Sequence, residues 1–290
     1  MHMRSLRTGG FTMVEAIIVI SILGIVGAMI AVFIRMPMEG YDSASRRAEM
    51  TDIADTALRR ISRDLRLSVP NSVRVATDGT SIFLGFLPVV TGGMYRAECS
   101  TVAACTTGAE HNLDFSTTVT QFDVLGGLPV QPAIGQSVVI FNLGVPGADA
   151  YSGDNTATIT AVNTTSTGGS LSIAATRPFP FASPNQRFQV FGAPVTYVCT
   201  PATVDNAGRL TGTGTLTRVT GYAIGANQPT SFSGAGIQTS VLATRVSGCA
   251  ITPPENMTLP GLALVTIRLT LLSNGESVSL YHEAHINNVP

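Results

Sequence analysis

The sequence predicts an α+β protein in which one long N-terminal helix, half of it apolar, precedes a large antiparallel β domain. Three observations support this fold class. An uncharged apolar run covers Ala16 to Ile34, a helical stripe with three- and four-residue spacing follows over residues 41–67, and a two-residue periodicity begins at Ser72. We therefore expect four segments: a leader at 1–10, a transmembrane helix at 11–35, a second helical half at 36–70 and a β-rich head at 71–290.

The first helix has the length and composition of a membrane span. Arg4 and Arg7 precede it, and Glu15 is the only charged residue between Phe11 and Ile34. A helix of about 20 apolar residues crosses a bilayer. Basic residues before the span favour a cytoplasmic N-terminus, with the rest of the chain on the other side of the membrane.

Glu15 is the unusual residue of this span. A carboxylate within a membrane helix costs roughly 2.5–3.5 kcal/mol on insertion scales, and it is a functional hypothesis by default. If the chain is cut after Gly10, the new amino group of Phe11 lies one helical turn from Glu15. The amine would then pair with Glu15 of the same chain or of a neighbouring one.

The segment resembles the class III signal peptide of the type IV pilin superfamily. The resemblance rests on Gly10, Phe11, Thr12, Glu15 and the apolar run that ends in Ser21-Ile22-Leu23-Gly24-Ile25-Val26. It implies a pilin-like fold, cleavage by prepilin peptidase after Gly10, N-methylation of Phe11, and a role for Glu15 and Thr12 in assembly. The alternatives are an ordinary signal anchor and a secretory peptide, although the latter is cut after its apolar run.

The second half of the helix is amphipathic. Pro37 predicts a kink or a short break, and Ser68-Val69-Pro70-Asn71 predicts the end of the helix. Asp42 with Arg46 and Asp55 with Arg59 have the spacing of favourable pairs. The opposite face carries most of the charge and is either solvated or in contact with neighbouring subunits. The predicted apolar stripe is Tyr41, Ala44, Ala48, Ala54, Ala57, Leu58, Ile61 and Leu65.

The head is predicted to be built from antiparallel strands, with the second helical half packed on one face. Ala263–Leu272 is the most apolar strand and is expected to be central, whereas Tyr281–Pro290 is expected at an edge. Gly92–Leu113 is expected to be a surface loop. The predicted strands are Ser72–Val75, Ser81–Leu87, Phe115–Val124, Ser137–Asn142, Thr156–Val162, Ser170–Ala174, Arg187–Phe191, Val195–Cys199, Gly214–Tyr222, Val241–Val246, Ala263–Leu272 and Ser277–His285.

Four cysteines in an exported chain favour disulfides. Of the three possible connectivities we favour Cys99–Cys105, which closes a small loop, and Cys199–Cys249, which joins two strand-like segments. A metal site and free buried thiols are the alternatives.

The composition argues against several classes of function. Net charge is −1 and charged residues make up 12%, so no basic surface suggests nucleic acid. All 17 basic residues are arginine, which excludes lysine chemistry. No P-loop, nucleophile elbow or complete dinucleotide fingerprint is present. We therefore expect no enzyme activity and no cofactor.

Two segments of the sequence weakly resemble metal-binding motifs. His282 and His285 lie three residues apart in a predicted strand and are expected to point to opposite faces, which does not favour a shared metal. The oxygen-rich loop with Asp149, Tyr151, Asp154 and Asn155 is either a polar turn or a calcium loop, although it lacks the acidic density of an EF-hand.

A second set of segments is spread over most of the chain. These segments are Gly40-Tyr41, residues 45–49, 54–61, 63–66, 70–74, 122–125, 141–144, 187–190 and 194–199, and Asn288-Val289-Pro290. Together they are similar to the MshO minor-pilin family of mannose-sensitive haemagglutinin (MSHA) pili, with a looser match over 88–112 and 145–185. The resemblance implies a minor pilin that initiates assembly or caps the tip and supports surface attachment.

The same resemblance implies partners and a location. The partners are other major and minor pilins, prepilin peptidase and the inner-membrane assembly platform. The protein would be a single-pass inner-membrane protein with its head in the periplasm, and later part of a pilus on the cell surface. The alternatives are a type II secretion minor pseudopilin of the J type, a tip adhesin using the two loops, and an enzyme on a membrane anchor.

Overall fold

The computed structural model describes residues 10–207, 209–211, 213–252 and 262–289, with the side chains at 34–39, 211, 262 and 287 left outside the description. The predicted leader, with Arg4 and Arg7, therefore lies outside the described residues except for Gly10. The chain divides into two compact units, one ending at Glu49 and the other beginning at Met50.

Two helices lie within the described residues, α1 (Met13–Arg66) and α2 (Val102–Thr106). The predicted break at Pro37 is wrong, because the helical backbone of α1 runs through that position. A proline removes one helical hydrogen bond donor and its ring crowds the carbonyl four residues earlier, yet the backbone is helical on both sides of this position. The predicted end after residue 67 is confirmed to within one residue.

The strands carry most of the second unit. In the described chain they are β1 (Arg74–Asp78), β2 (Ser81–Phe86), β3 (Val89–Tyr95), β4 (Gln121–Leu125), β5 (Ser137–Ile140), β6 (Thr156–Thr165), β7 (Gly168–Ala174), β8 (Arg187–Phe191), β9 (Val195–Thr200), β10 (Thr203–Val204), β11 (Leu210–Thr211), β12 (Thr215–Thr220), β13 (Gln238–Thr244), β14 (Val246–Thr252), β15 (Leu262–Ser273) and β16 (Glu276–Asn287).

Two antiparallel sheets and the end of α1 share one core. In the described chain the first sheet has the order β1-β2-β9-β12-β13 and the second has the order β14-β15-β16. Side chains of α1 from Met50 to Leu65 pack against inward residues of both sheets, among them Tyr197, Leu269 and Ile286. The α+β fold class is confirmed, as are the central position of β15 and the edge position of β16.

The remaining larger strands close into a barrel of order β3-β4-β7-β6-β5-β8. It has its own core, which includes Phe122, Ile159, Phe188 and Val190. In sequence the barrel lies between β2 and β9, which pair directly in the first sheet with Phe86 opposite Val195. It is thus an insertion into the sheet. Sequence analysis predicted five of its six strands but missed β3, and it did not predict that the strands close into a barrel.

Three local predictions were wrong. Gly92–Leu113 is not all loop, because β3 extends to Tyr95 and α2 lies within the segment. Residues 115–120 are not strand: the Asp114 carboxylate accepts hydrogen bonds from Ser116 N (2.8 Å) and Thr117 Oγ1 (3.0 Å), which holds a turn in place of a ladder. The predicted strand at Val241–Val246 splits at Arg245, whose φ of 62° ends β13 before β14 begins.

Candidate functional site

The N-terminal segment begins α1 with a side-chain cap. Thr12 precedes the helix; its Oγ1 accepts a hydrogen bond from Glu15 N at 3.3 Å, and its carbonyl accepts one from Ala16 N at 3.1 Å. A threonine at this position satisfies a backbone donor that the first turn leaves unpaired. Thr12 therefore has a structural role that is separate from the assembly role implied by the resemblance.

Gly10, Phe11 and Glu15 are all exposed in the structure. Glu15 lies in the first turn of α1, where the helix dipole favours a carboxylate. Phe11 lies before the helix begins in this uncut chain, so its pairing with Glu15 after cleavage stays a prediction. A Cβ added at Gly10 would meet no described atom within 4 Å, and packing in the described chain therefore does not require glycine there.

Among the residues that the structure describes, none buries the apolar half of α1. By length and composition Met13–Phe33 is long enough to cross a membrane, with a mean hydropathy of 2.9 and 0% of that window buried. At 1.5 Å per residue it spans about 30 Å, the thickness of a hydrocarbon core. Gly24 and Gly27 are open as well, with no described atom within 4 Å of an added Cβ. This exposed apolar surface is therefore one that lipid or another protein can cover.

Both predicted cysteine pairs are found. Cys99 and Cys105 have Cα atoms 5.8 Å apart, and those of Cys199 and Cys249 are 6.5 Å apart, both within the range of disulfides. The first pair closes a short loop that ends within α2. The second joins β9 of the five-stranded sheet to β14 of the three-stranded one, and so ties the two sheets around their shared core.

A polar contact that sequence analysis missed fixes α1 on the sheet. The Asp64 carboxylate accepts a hydrogen bond from Tyr197 Oη at 2.6 Å and pairs with Arg218 Nε at 3.2 Å. Burial raises the pKa of Tyr197, and the hydrogen bond to Asp64 raises it further. An acid near the end of an otherwise basic helical turn was the available sequence signal. The predicted pair Asp55–Arg59 is confirmed at 2.6 Å.

Asparagines join the barrel to the end of α1. Asn71, with φ of 58°, donates from Nδ2 to the Asn142 carbonyl at 2.9 Å, and Asn142 Nδ2 donates to the Pro70 carbonyl at 2.7 Å. Beside them Tyr151 Oη donates to the Ser72 carbonyl at 2.8 Å, and the Arg74 guanidinium lies 3.5 Å from the centre of the Tyr151 ring. These contacts hold the inserted barrel against the chain that leaves the helix.

The barrel carries a charged cluster on its outer surface. Arg96 pairs with Asp123 at 2.9 Å and with Glu110 at 3.3 Å, and His111 Nδ1 lies 3.3 Å from Asp123 Oδ1. A hydrogen bond from the backbone of Ser100 lowers the pKa of Glu110. The cluster borders an open polar cleft of about 540 Å³ that Asn163 and residues 167–170 also line. The two loosely matching loops thus both contribute to one cleft.

The weak metal motifs are accounted for by other contacts. Asp154 accepts a hydrogen bond from Gly147 N at 3.0 Å and pairs with Arg177 at 3.2 Å, while Asp149 Oδ1 accepts one from Tyr151 N at 3.1 Å. His285 is exposed while His282 is partly buried, on opposite faces of β16 as predicted. The residues that the structure describes contain no group of three metal-ligating side chains.

No family model, curated protein or solved structure matches this chain.

Proposed function

We propose that this protein is a minor subunit of an MSHA-like type IV pilus. In this proposal it enters the inner membrane through α1, prepilin peptidase cuts it after Gly10, and Phe11 is methylated. The assembly platform then adds it to a fibre of major and minor pilins, where it helps to initiate assembly or forms the tip. The observation that carries the proposal is an uncovered apolar helix with a single acid in its first turn, directly after Gly10-Phe11.

The physical argument concerns what covers that helix before and after assembly. In a bilayer, lipid covers the apolar side chains among the 21 residues of Met13–Phe33, and only the carboxylate of Glu15 is unfavourable there. In a bundle of like helices the apolar surface stays dry, and the amine freed by cleavage of one chain supplies a partner for Glu15 of another. The acid then favours one placement of neighbouring subunits over others.

The cleavage step is tested with Gly10→Leu, and Gly40→Leu is the matched control. An added Cβ meets no described atom within 4 Å at either glycine, so neither change alters packing within the described chain. We expect Gly10→Leu to accumulate as an uncut precursor and Gly40→Leu to be processed, as measured by mass spectrometry of the mature N-terminus. Normal processing of Gly10→Leu would contradict the peptidase assignment.

The assembly step is tested with Glu15→Gln, and Asp42→Asn is the control because it removes an exposed acid beyond the span. We expect both variants to be cut and inserted, but only Glu15→Gln to be missing from sheared fibres labelled with immunogold. If Glu15→Gln entered fibres as efficiently as the wild type does, the proposed pairing of Glu15 with a neighbouring chain would be contradicted. Co-purification of the wild type with secretion-channel parts and not with pilins would favour the pseudopilin alternative.

The inserted barrel supports a second candidate function, ligand binding at the fibre tip. Its open polar cleft has the donors and acceptors that hydroxylated ligands such as glycans require. Thr167→Trp narrows the cleft, whereas Thr160→Trp changes an exposed β6 residue that does not line it. Glycan-array binding that only Thr167→Trp abolishes would support an adhesin, and equal binding by both variants would contradict it.

A further inference from the structure

A second cleft, of about 510 Å³, opens where the end of α1, strands β3 and β8 and the tail near Val289 meet. We call it the junction cleft. Its volume lies within the range of about 300–1,000 Å³ that is typical of small-molecule sites. It shares no lining residue with the polar cleft on the barrel, and the contacts described above leave it unassigned.

Two arginines at the junction cleft have no partner among the described residues. Arg66 lies in the last turn of α1 and Arg187 begins β8; both line the cleft and both are exposed. No described residue forms a side-chain hydrogen bond or an ion pair with either guanidinium. Arg59, Arg96 and Arg218 differ in this respect, because each pairs with an aspartate. As far as the described residues go, the junction cleft thus presents two guanidinium groups that no acidic side chain pairs.

The same cleft exposes apolar side chains. Leu67 is 60% exposed, Met94 46% and Val289 54%, and all three line it together with the two arginines. A simple anion would satisfy the guanidinium groups and leave the apolar atoms in water. A purely apolar ligand would cover those atoms but would desolvate the charges without pairing them.

We propose that the junction cleft docks a peptide segment of a partner protein in which one aspartate or glutamate is flanked by apolar residues. The carboxylate pairs with a guanidinium, whose planar fork matches it in two parallel hydrogen bonds. The flanking side chains cover the exposed apolar residues. The cleft is open and not enclosed, so a chain can enter and leave it. This inference stands independently of the pilus assignment.

The test uses the full chain in lipid nanodiscs, labelled with ¹³C at the methionine methyl groups. The probe is the peptide acetyl-Phe-Asp-Leu-amide, and its uncharged match is acetyl-Phe-Asn-Leu-amide. Met94 reports on the cleft, and fully buried Met50 reports on whether the fold is intact. We expect a saturable shift of the Met94 methyl signal with the aspartate peptide and binding about tenfold weaker with the asparagine peptide.

Matched variants decide whether the two arginines are responsible. We expect Arg66→Glu and Arg187→Glu each to weaken binding at least about tenfold. Arg63→Glu, one turn earlier on α1, and Arg268→Glu, on an exposed strand position, should leave binding unchanged. An unchanged Met50 signal in every variant shows that the fold is retained. Equal binding of both peptides, an unmoved Met94 signal, or equal effects of the control variants would each overturn the proposal. So would tighter binding of free hexanoate than of the aspartate peptide.

Discussion

Two stretches of the same helix meet two different surroundings. In Met50–Arg66 one face is packed under two sheets, whereas no residue of the Met13–Phe33 window is buried. Both stretches are helical, so helix propensity does not distinguish them. Their difference is the spacing of polar residues, which leaves a stripe in the second stretch and an uninterrupted apolar surface in the first. The buried side chains of the second stretch are Met50, Ala54, Ala57, Leu58, Ile61, Ser62 and Leu65.

The largest contrast is expected from matched leucine truncations. Leu58→Ala removes a side chain that is 2% exposed, and we expect it to lower the free energy of unfolding of the head by about 3 kcal/mol. Leu23→Ala changes a side chain that is 63% exposed and should leave that free energy unchanged. Urea unfolding in nanodiscs, followed by near-ultraviolet circular dichroism of the tyrosines, measures both. Equal effects would break the distinction between the two stretches.

The hydrogen bond between Tyr197 and Asp64 should make the stability of the packed stretch depend on pH. The pKa of Tyr197 is raised in the folded protein, so the fold retains the phenol proton more tightly than the unfolded chain does. The stability from this group is complete below about pH 10, the ordinary tyrosine pKa, and is lost as pH rises above it. We expect Tyr197→Phe to cost about 1–2 kcal/mol at pH 7 through loss of the Asp64 hydrogen bond.

The same substitution should make the loss of stability above pH 10 less steep, again measured by urea unfolding. Tyr41→Phe is the control from the exposed part of α1, where the ring is 75% exposed. It should change neither the free energy of unfolding at pH 7 nor its pH dependence. Identical pH profiles for wild type and Tyr197→Phe would contradict the assigned role of the buried phenol.

Loss of the helix cap should have a smaller, local effect. Thr12→Ala removes the acceptor for Glu15 N and should destabilise the first turn of α1 by about 1 kcal/mol. Faster amide hydrogen exchange within residues 13–16 would report it, while unfolding of the head stays unchanged. Faster exchange throughout residues 50–66 would show instead that the two stretches are coupled.

The smallest effect is expected from the surface pair. The side chains of Asp55 and Arg59 are 45% and 70% exposed, so solvent and salt screen their attraction. We expect Asp55→Asn to cost about 0.3–0.5 kcal/mol at low ionic strength and nothing measurable in 1 M salt. A salt-independent loss would indicate that Asp55 acts through a contact other than this pair.

The spacing of apolar residues predicted much of this structure because most of its helices and strands bury one face. The strand Arg187–Phe191 was predicted to the residue, and the stripe from Ala54 to Leu65 packs as expected. Tyr41, Ala44 and Ala48 continue the same spacing yet are exposed, because a stripe records which residues share a face and not whether a partner lies against it. The strand with Gly92 and Gly93 escaped notice because glycine carries no side chain to reveal alternation.

The contacts between elements distant in sequence were not predictable in the same way. Asp64 meets Tyr197 and Arg218 only because α1 lies against β9 and β12. The local sequence marks Asp64 as an acid among arginines but does not indicate its partners. Closure of the barrel likewise depends on which strands lie side by side, and the local sequence of each strand does not indicate its neighbours. The cysteine pairing could be predicted because four cysteines allow only three connectivities, whereas 18 acidic residues and 17 arginines allow very many ion pairs.

The chain leaves the first sheet after β2 and returns to it at β9, and this geometry affects which insertions the sheet can accept. Phe86 and Val195 stand opposite each other in the ladder, so the inserted chain departs and returns at neighbouring points. A short turn or an unrelated fold of any size can bridge those points while every hydrogen bond of the β2–β9 ladder keeps its partner. The inserted module can therefore change in size or fold without any change to the β2–β9 pairing.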